Sequence, residues 1–333
     1  MNRQKNKLPM PADKSAKQLL SQATSLIGLV VIFIVASLIC VRNGKNLFLS
    51  PVNLANVVRA IAENGIIAIG ISLPILLGGI DLSVGAIVGL TATVSADLMM
   101  HRDFGVGATV TCVLVISVLF GLFNGFVHSK LGVQAFIATL ASMMIARGLA
   151  RFWSGGIGIP IAYGEGPELA PEAFSFLSTR VAGIPIPAIC FALIAVIMFL
   201  LMKFTRFGRY LYAIGGNETS AYLCGIKVVK IKTLAYTICA VCAGIAGMIQ
   251  AAQLRQGSPN DGQSYEMNAI AACVIGGYSM AGGKGSIWGV VIGALILGIL
   301  DNMLGLKNID TNVQMVAKGL IIVAAVVFQK KDK

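Results

Sequence analysis

Lys203-Phe-Thr-Arg206-Phe-Gly-Arg209-Tyr-Leu-Tyr-Ala-Ile-Gly215-Gly216-Asn217-Glu218-Thr-Ser-Ala221-Tyr222-Leu223-Cys-Gly225-Ile-Lys227-Val-Val-Lys230-Ile-Lys232 is the longest basic segment between apolar runs in the chain. Lys203, Arg206 and Arg209 enter it, and Lys227, Lys230 and Lys232 leave it. The stretch between them carries its own punctuation. Gly215-Gly216 interrupts the preceding run, Asn217 is a good helix N-cap, Glu218 suits the positive end of a first turn, and Gly225 is placed to stop the helix. A helix of about eight residues does not hold in water by itself. It has to dock on something. Its apolar positions, Ala221, Tyr222 and Leu223, are the expected docking face.

Outward from this segment, the chain is apolar. It has 333 residues, 56% hydrophobic and 12% charged, with mean hydropathy +0.83. Soluble domains carry about 25% charged residues, so half the usual charge is missing. Several runs reach the length that crosses a bilayer, and the expected fold is an all-α polytopic helical membrane protein. A net charge of +12 in a soluble chain would suggest nucleic acid. Here its location decides, because basic loops orient membrane proteins, and no nucleic-acid partner is expected. The 38 glycines suit closely packed spans.

Ten spans are expected, at about 25–41, 54–79, 82–100, 105–128, 132–153, 185–203, 233–254, 265–280, 285–305 and 312–328. They form one transmembrane domain over 25–329, with 203–232 as a loop within it. Residues 1–24, with five basic side chains, read as a disordered cytoplasmic tail. The first apolar run lacks a small-residue cleavage site and reads as a retained helix. With both termini inside, cytoplasmic segments hold sixteen Lys and Arg against seven outside, the expected bias. The long connection from Ser154 to Pro185, with Glu165, Glu168 and Glu172, then faces outside. Glu63 to Gly85 and Glu266 to Gly285 echo one another weakly, each placing a Gly-rich break between apolar helices. Composition generates such a match as readily as a repeat does.

Chemistry-bearing residues are few. Six of the seven cysteines sit in apolar runs, and Cys239-x-x-Cys242 lies in a span without a neighbouring His or Lys, so both read as buried hydrophobes. Two histidines do not make a metal or catalytic site, and no cofactor is expected. Gly78-Gly79-Ile80-Asp81-Leu82-Ser83-Val84-Gly85 is the most informative polar interruption. Asp81 and Ser83 can cap the backbone groups that the glycines free. A charge at membrane depth costs about 2.5–3.5 kcal/mol, so Asp81 is either such a cap or a solute contact. Arg59 and Glu63, four apart on one helix face, read as an ion pair, and Lys318 reads as snorkelling to the cytoplasmic surface. Asn64, Asn124, Asn268 and Asn302 suit an uncharged polar solute, and equally glue helices together. Asp81, Ser83 and these four asparagines are the candidate substrate pathway. Tyr278 to Gly285 fails as a phosphate loop, since Tyr278 and Gly285 stand where Gly and Ser or Thr are needed. The chain carries no motor of its own.

Five blocks in order, G-G-I-D-L-S-V-G (78–85), V-Q-A-F-I-A-T-L (133–140), T-R-F-G-R-Y-L-Y-A-I-G-G-N (205–217), A-Y-L-C-G-I (221–226) and A-I-A-A-C-V-I-G-G (269–277), resemble the permease subunits of bacterial ribose-type sugar ABC importers. The resemblance runs from about residue 25 to 328. It implies a bacterial inner-membrane, multi-pass permease subunit that moves a monosaccharide and is not itself an enzyme. It also implies a second permease subunit, a cytoplasmic ATP-binding subunit, and a periplasmic sugar-binding protein. Gly216 to Gly225 would be the coupling helix seated on the ATPase. A permease for branched-chain amino acids or a signalling sugar keeps the same architecture. An ion-coupled transporter would want ionisable groups near the midplane, where this chain offers only Glu63, Asp81, Glu266 and Lys318. A membrane enzyme lacks any nucleophile–base pair.

Overall fold

The computed structural model describes residues 12–42, 44–166 and 168–331. α1 (Ala12–Ile39) leads through a short hairpin, β1 (Val41–Arg42) and β2 (Lys45–Asn46), to α2 (Pro51–Leu76). α3 (Val84–Met100), α4 (Val106–Ser129) and α5 (Ala135–Ser154) follow. The 155–185 connection holds β3 (Ile159–Pro160), α6 (Glu172–Ser175), and a hairpin of β4 (Arg180–Val181) and β5 (Ile184–Pro185). Then come α7 (Ile186–Phe204), α8 (Arg206–Gly216), α9 (Glu218–Leu223) and α10 (Val228–Leu254). β6 (Gln256–Gly257), α11 (Tyr265–Ile275), α12 (Ile287–Leu306) and α13 (Thr311–Lys331) complete the chain.

Among the described residues, six helices are long and apolar enough to cross a membrane: α2, α4, α5, α7, α10 and α12. The protein is thus a multi-pass helical membrane protein. A helix stands at each of the ten expected positions, but α3 has 17 residues and α11 only 11. Those two are short because irregular chain precedes each one, residues 77–83 and 255–264. α1 begins at Ala12, inside the segment 1–24 that the sequence reads as a tail. Ala, Leu, Gln and Lys dominate that stretch, and all are strong helix formers. The expectation for residues 1–11 lies outside the described residues.

α10 is the hub. Gly121 and Gly125 of α4 bring their backbone against Thr237 and Thr233, and Gly70 of α2 sits on Cys239 and Cys242. Gly244 and Gly247 of α10 return the fit against Ser117 and Thr91. Small residues let helices approach closely where lipid supplies no hydrophobic driving force. The outer faces of α4, α5 and α7 expose Leu119, Phe126, Phe136, Leu193 and Ile197, as a surface against hydrocarbon requires. The two cysteines of Cys239-x-x-Cys242 are buried and free.

The two ends of the bundle differ. One carries the 155–185 connection, where β3 pairs with β6 and Asp97 of α3 accepts from Arg102 (2.9 Å) and Trp153 (2.8 Å). The other carries α8 and α9. There Asn217 caps α9 by accepting from Ser220 N at 2.8 Å, and Gly225 takes φ +81°, as the sequence indicates. Glu218 accepts from Lys232 at 2.6 Å.

Candidate functional site

A cavity of about 490 Å³ lies between α2, α11, α12 and the end of α10. Its polar wall is mostly amide: Asn56 and Asn64 from α2, Gln253 from α10, Asn268 from α11 and Asn302 from α12, joined by Arg59 and Asp301. Val57, Ile61, Ala272, Ala294 and Leu297 supply the apolar wall. Each amide both donates and accepts, as a hydroxyl does. The Asn64 Oδ1 atom is buried without a hydrogen-bond partner among the described residues. An orphaned buried acceptor is costly, and a bound donor would satisfy it.

The structure divides the six sequence-predicted pathway residues. Asn64, Asn268 and Asn302 converge on the cavity. Asn302 is also held by a reciprocal amide pair with Asn53 (3.0 and 2.9 Å), which ties α12 to α2. Asp81, Ser83 and Asn124 form a separate, fully buried cluster and do not line the cavity. Asp81 Oδ1 accepts from Ser83 N (2.9 Å) and Ser83 Oγ (2.6 Å), and Asn124 Nδ2 donates to Ser83 Oγ at 2.8 Å. Asp81 thus caps Ser83 N, one of the two roles the sequence offers it. Irregular chain at 77–83 frees backbone groups inside the bundle, and Asp81 satisfies one of them, Ser83 N.

Two further expectations are corrected. Glu63 does not pair with Arg59; it accepts from Gln253 (2.8 Å) and from the Tyr265 hydroxyl (3.1 Å). Partners from other helices reach the buried carboxylate, while Arg59 lines the cavity. Lys318 does not snorkel to the surface. It pairs with Asp301 at 2.9 Å, because a carboxylate on α12 lies within reach.

The most informative residue that sequence reasoning passed over is Arg147 of α5. Its guanidinium donates to the carbonyls of Pro259, Asp261 (2.8 Å) and Gly85 (3.3 Å). These bonds pin residues 255–264 along α3, where Gly257 lies on Ala92 and Gly262 on Gly85. That segment is bracketed by two non-glycine residues in the left-handed region, Arg255 (φ 49°) and Ser264 (φ 64°). Each costs roughly 1–2 kcal/mol. The result is a helix that stops at Leu254 and resumes at Tyr265, so that Gln253 and Asn268 both reach the cavity. A signal did exist: Arg147 is a charge in an apolar run with no carboxylate one turn away, so its partners had to come from another element.

α9 distributes its apolar residues differently from the expected common docking face. Tyr222 is 70% and Leu223 79% exposed, but Ala221 is 4% exposed and packs on Ile214 and Val228. Ala221 therefore seals α9 to its own protein. Gly215 likewise turns inward, onto Leu76 and Gly283.

Broken helices around an amide-lined cavity, inside a bundle with an apolar outer surface, define a membrane permease for a small polar solute. The chain belongs to the family described as branched-chain amino acid transport system / permease component, which matches residues 53–326. It is 38% identical over 308 residues to the ribose import permease protein of Haemophilus influenzae, covering 92% of each chain. It is 37% identical over 318 residues to the ribose import permease protein of Escherichia coli K12 (95% of this chain, 96% of the relative). It is also 34% identical over 340 residues to the xylose transport system permease protein of Haemophilus influenzae (86% and 91%). No solved structure matches the chain.

Proposed function

We propose that this chain is the permease subunit of an ATP-driven monosaccharide importer of the bacterial inner membrane. The observation that carries the reading is the amide-lined cavity of about 490 Å³ in a chain whose relatives over most of its length are named as ribose and xylose permeases. That volume lies in the range of small-ligand sites, and five amides can meet the hydroxyls of a sugar as donors and acceptors alike. A periplasmic binding protein delivers the sugar at the end that carries residues 155–185. A cytoplasmic ATP-binding subunit docks at α9 through Tyr222 and Leu223. Two permease copies embedded in lipid complete the pathway. Each chain crosses ten times with both termini cytoplasmic, in keeping with the sixteen basic residues inside against seven outside.

A zwitterionic amino acid fits less well. Arg59 lines the cavity and would meet a carboxylate, but Asp301, the carboxylate in its wall, is already paired with Lys318. The ammonium would lack its partner. Uptake of labelled ribose, xylose, arabinose and leucine by cells expressing the complete system, with and without a protonophore, tests the reading. Sugar uptake that survives collapse of the proton gradient while ATP is maintained supports it. Leucine uptake, or uptake abolished by the protonophore, contradicts it.

A further inference from the structure

The docking element meets the bundle at one unusually close place. Gly215, near the end of α8, lies on the Leu76 carbonyl and the Gly283 amide, and a Cβ there would overlap both. Gly283 N donates to Leu76 O at 2.8 Å, and the Tyr212 hydroxyl of α8 donates to Gly285 O at 2.9 Å. Gly283 holds φ +71°, a conformation glycine adopts at little cost. Three backbones thus touch with no side chain between them: the end of α2, the turn after α11, and the end of α8. The two Gly-rich breaks that echo one another in the sequence are two of the three.

Backbone contact of this kind is stiff, because no rotamer can absorb a displacement and packed interiors transmit strain. α9 is packed against α8 through Ala221 on Ile214, and held to α10 through Val228 and the bond from Lys232 to Glu218 at 2.6 Å. The two helices gripped at the joint are the ones that carry Asn64 and Asn268 to the cavity. Asn64 lies twelve residues before Leu76 and Asn268 seven before Ile275, about 18 and 10 Å along their helices.

We propose that this glycine joint passes movement of the docked ATPase to the α2 and α11 walls of the cavity, with Gly215 and Tyr212 as positioning residues. It rests on the importer reading above. The test uses the complete complex in lipid nanodiscs and measures the ratio of ATPase rates with and without sugar-loaded binding protein, together with retention of the ATPase on the permease. Gly215→Ala adds one methyl where no room exists. Tyr212→Phe adds nothing and removes one hydrogen bond, so it decides the matter where Gly215→Ala assembles poorly. Gly107→Ala on α4, at a position with open space around it, is the control.

The expected result is a stimulation ratio near one for Gly215→Ala and a reduction of roughly fivefold for Tyr212→Phe, the worth of one such bond, with the ATPase still bound. The control keeps the wild-type ratio. Wild-type ratios in both joint variants overturn the joint and leave the importer reading intact. A wild-type complex that no sugar-loaded binding protein stimulates overturns both.

Discussion

Replacing Tyr222 and Leu223 together by alanine removes the exposed apolar surface of α9 and nothing else. The two side chains are 70% and 79% exposed, so they contribute little to the permease's own packing, and such surface changes usually stay within about 0.5 kcal/mol. A fully buried side chain of this size gains roughly 2 kcal/mol. The exposed share leaves about 1.5 kcal/mol each for a partner to recover. Losing both weakens docking by about 3 kcal/mol, or roughly a hundredfold in Kd. Ala221→Asp does not test the same thing. At 4% exposure, packed on Ile214 and Val228, it would put a carboxylate into the permease's own core at a cost of several kcal/mol. The assay is a fluorescence titration of purified ATPase onto permease in nanodiscs, with thermal unfolding of the permease measured alongside. The expected result is an unchanged unfolding midpoint with docking weakened about a hundredfold. Docking of the double variant at wild-type affinity refutes the assignment of α9.

Three other outcomes are expected. Asn64→Leu and Asn268→Leu each lower sugar uptake by roughly 10- to 100-fold through lost hydrogen bonds and an unsatisfied solute hydroxyl, while ATPase docking persists; radiolabelled uptake and co-purification check this. Arg147→Met strands the carbonyls of Pro259, Asp261 and Gly85 and destabilises the protein by several kcal/mol, read as a lowered unfolding midpoint in detergent, whereas Arg147→Lys recovers part of it. Asp81→Asn keeps an acceptor for Ser83 and stays near wild type in unfolding midpoint and uptake, but Asp81→Leu loses about 1–3 kcal/mol of stability.

The fold class was legible because hydrophobic run length and missing charge suffice to show membrane helices, and the 203–232 segment announced α9 through its punctuation, whereas α8 (Arg206–Gly216) was not expected. Asn217 and Gly225 behave as their chemistry dictates, since a cap and a left-handed stop depend on local backbone alone. The cavity was half legible. An asparagine in an apolar run has a polar role, but whether it faces solute or a neighbouring helix is fixed by the rotation of α2 against α12, which single-chain periodicity does not encode. Asp81 and Asn64 illustrate this: both are polar residues in apolar surroundings, yet one is consumed by Ser83 and the other lines the cavity. Ala221 is the converse case. A six-residue helix has too few positions to show which face is inward, and the small side chain that would suit a partner's groove suits contact with Ile214 equally well. Arg147 was passed over for a third reason. Its partners are backbone carbonyls from two distant segments, 255–264 and the start of α3, and tertiary contacts of that sort leave only a charge without a nearby carboxylate as their trace.

Reconstitution in proteoliposomes tests the central claim most directly. The permease, its ATPase and its binding protein are assembled with ATP enclosed on the α9 side, and a panel of labelled monosaccharides is offered on the other. The account predicts accumulation of a monosaccharide against its gradient, at a rate that needs both ATP and the binding protein and that an ion gradient does not replace. Accumulation driven by an ion gradient without ATP, or transport of leucine in place of any sugar, would contradict it.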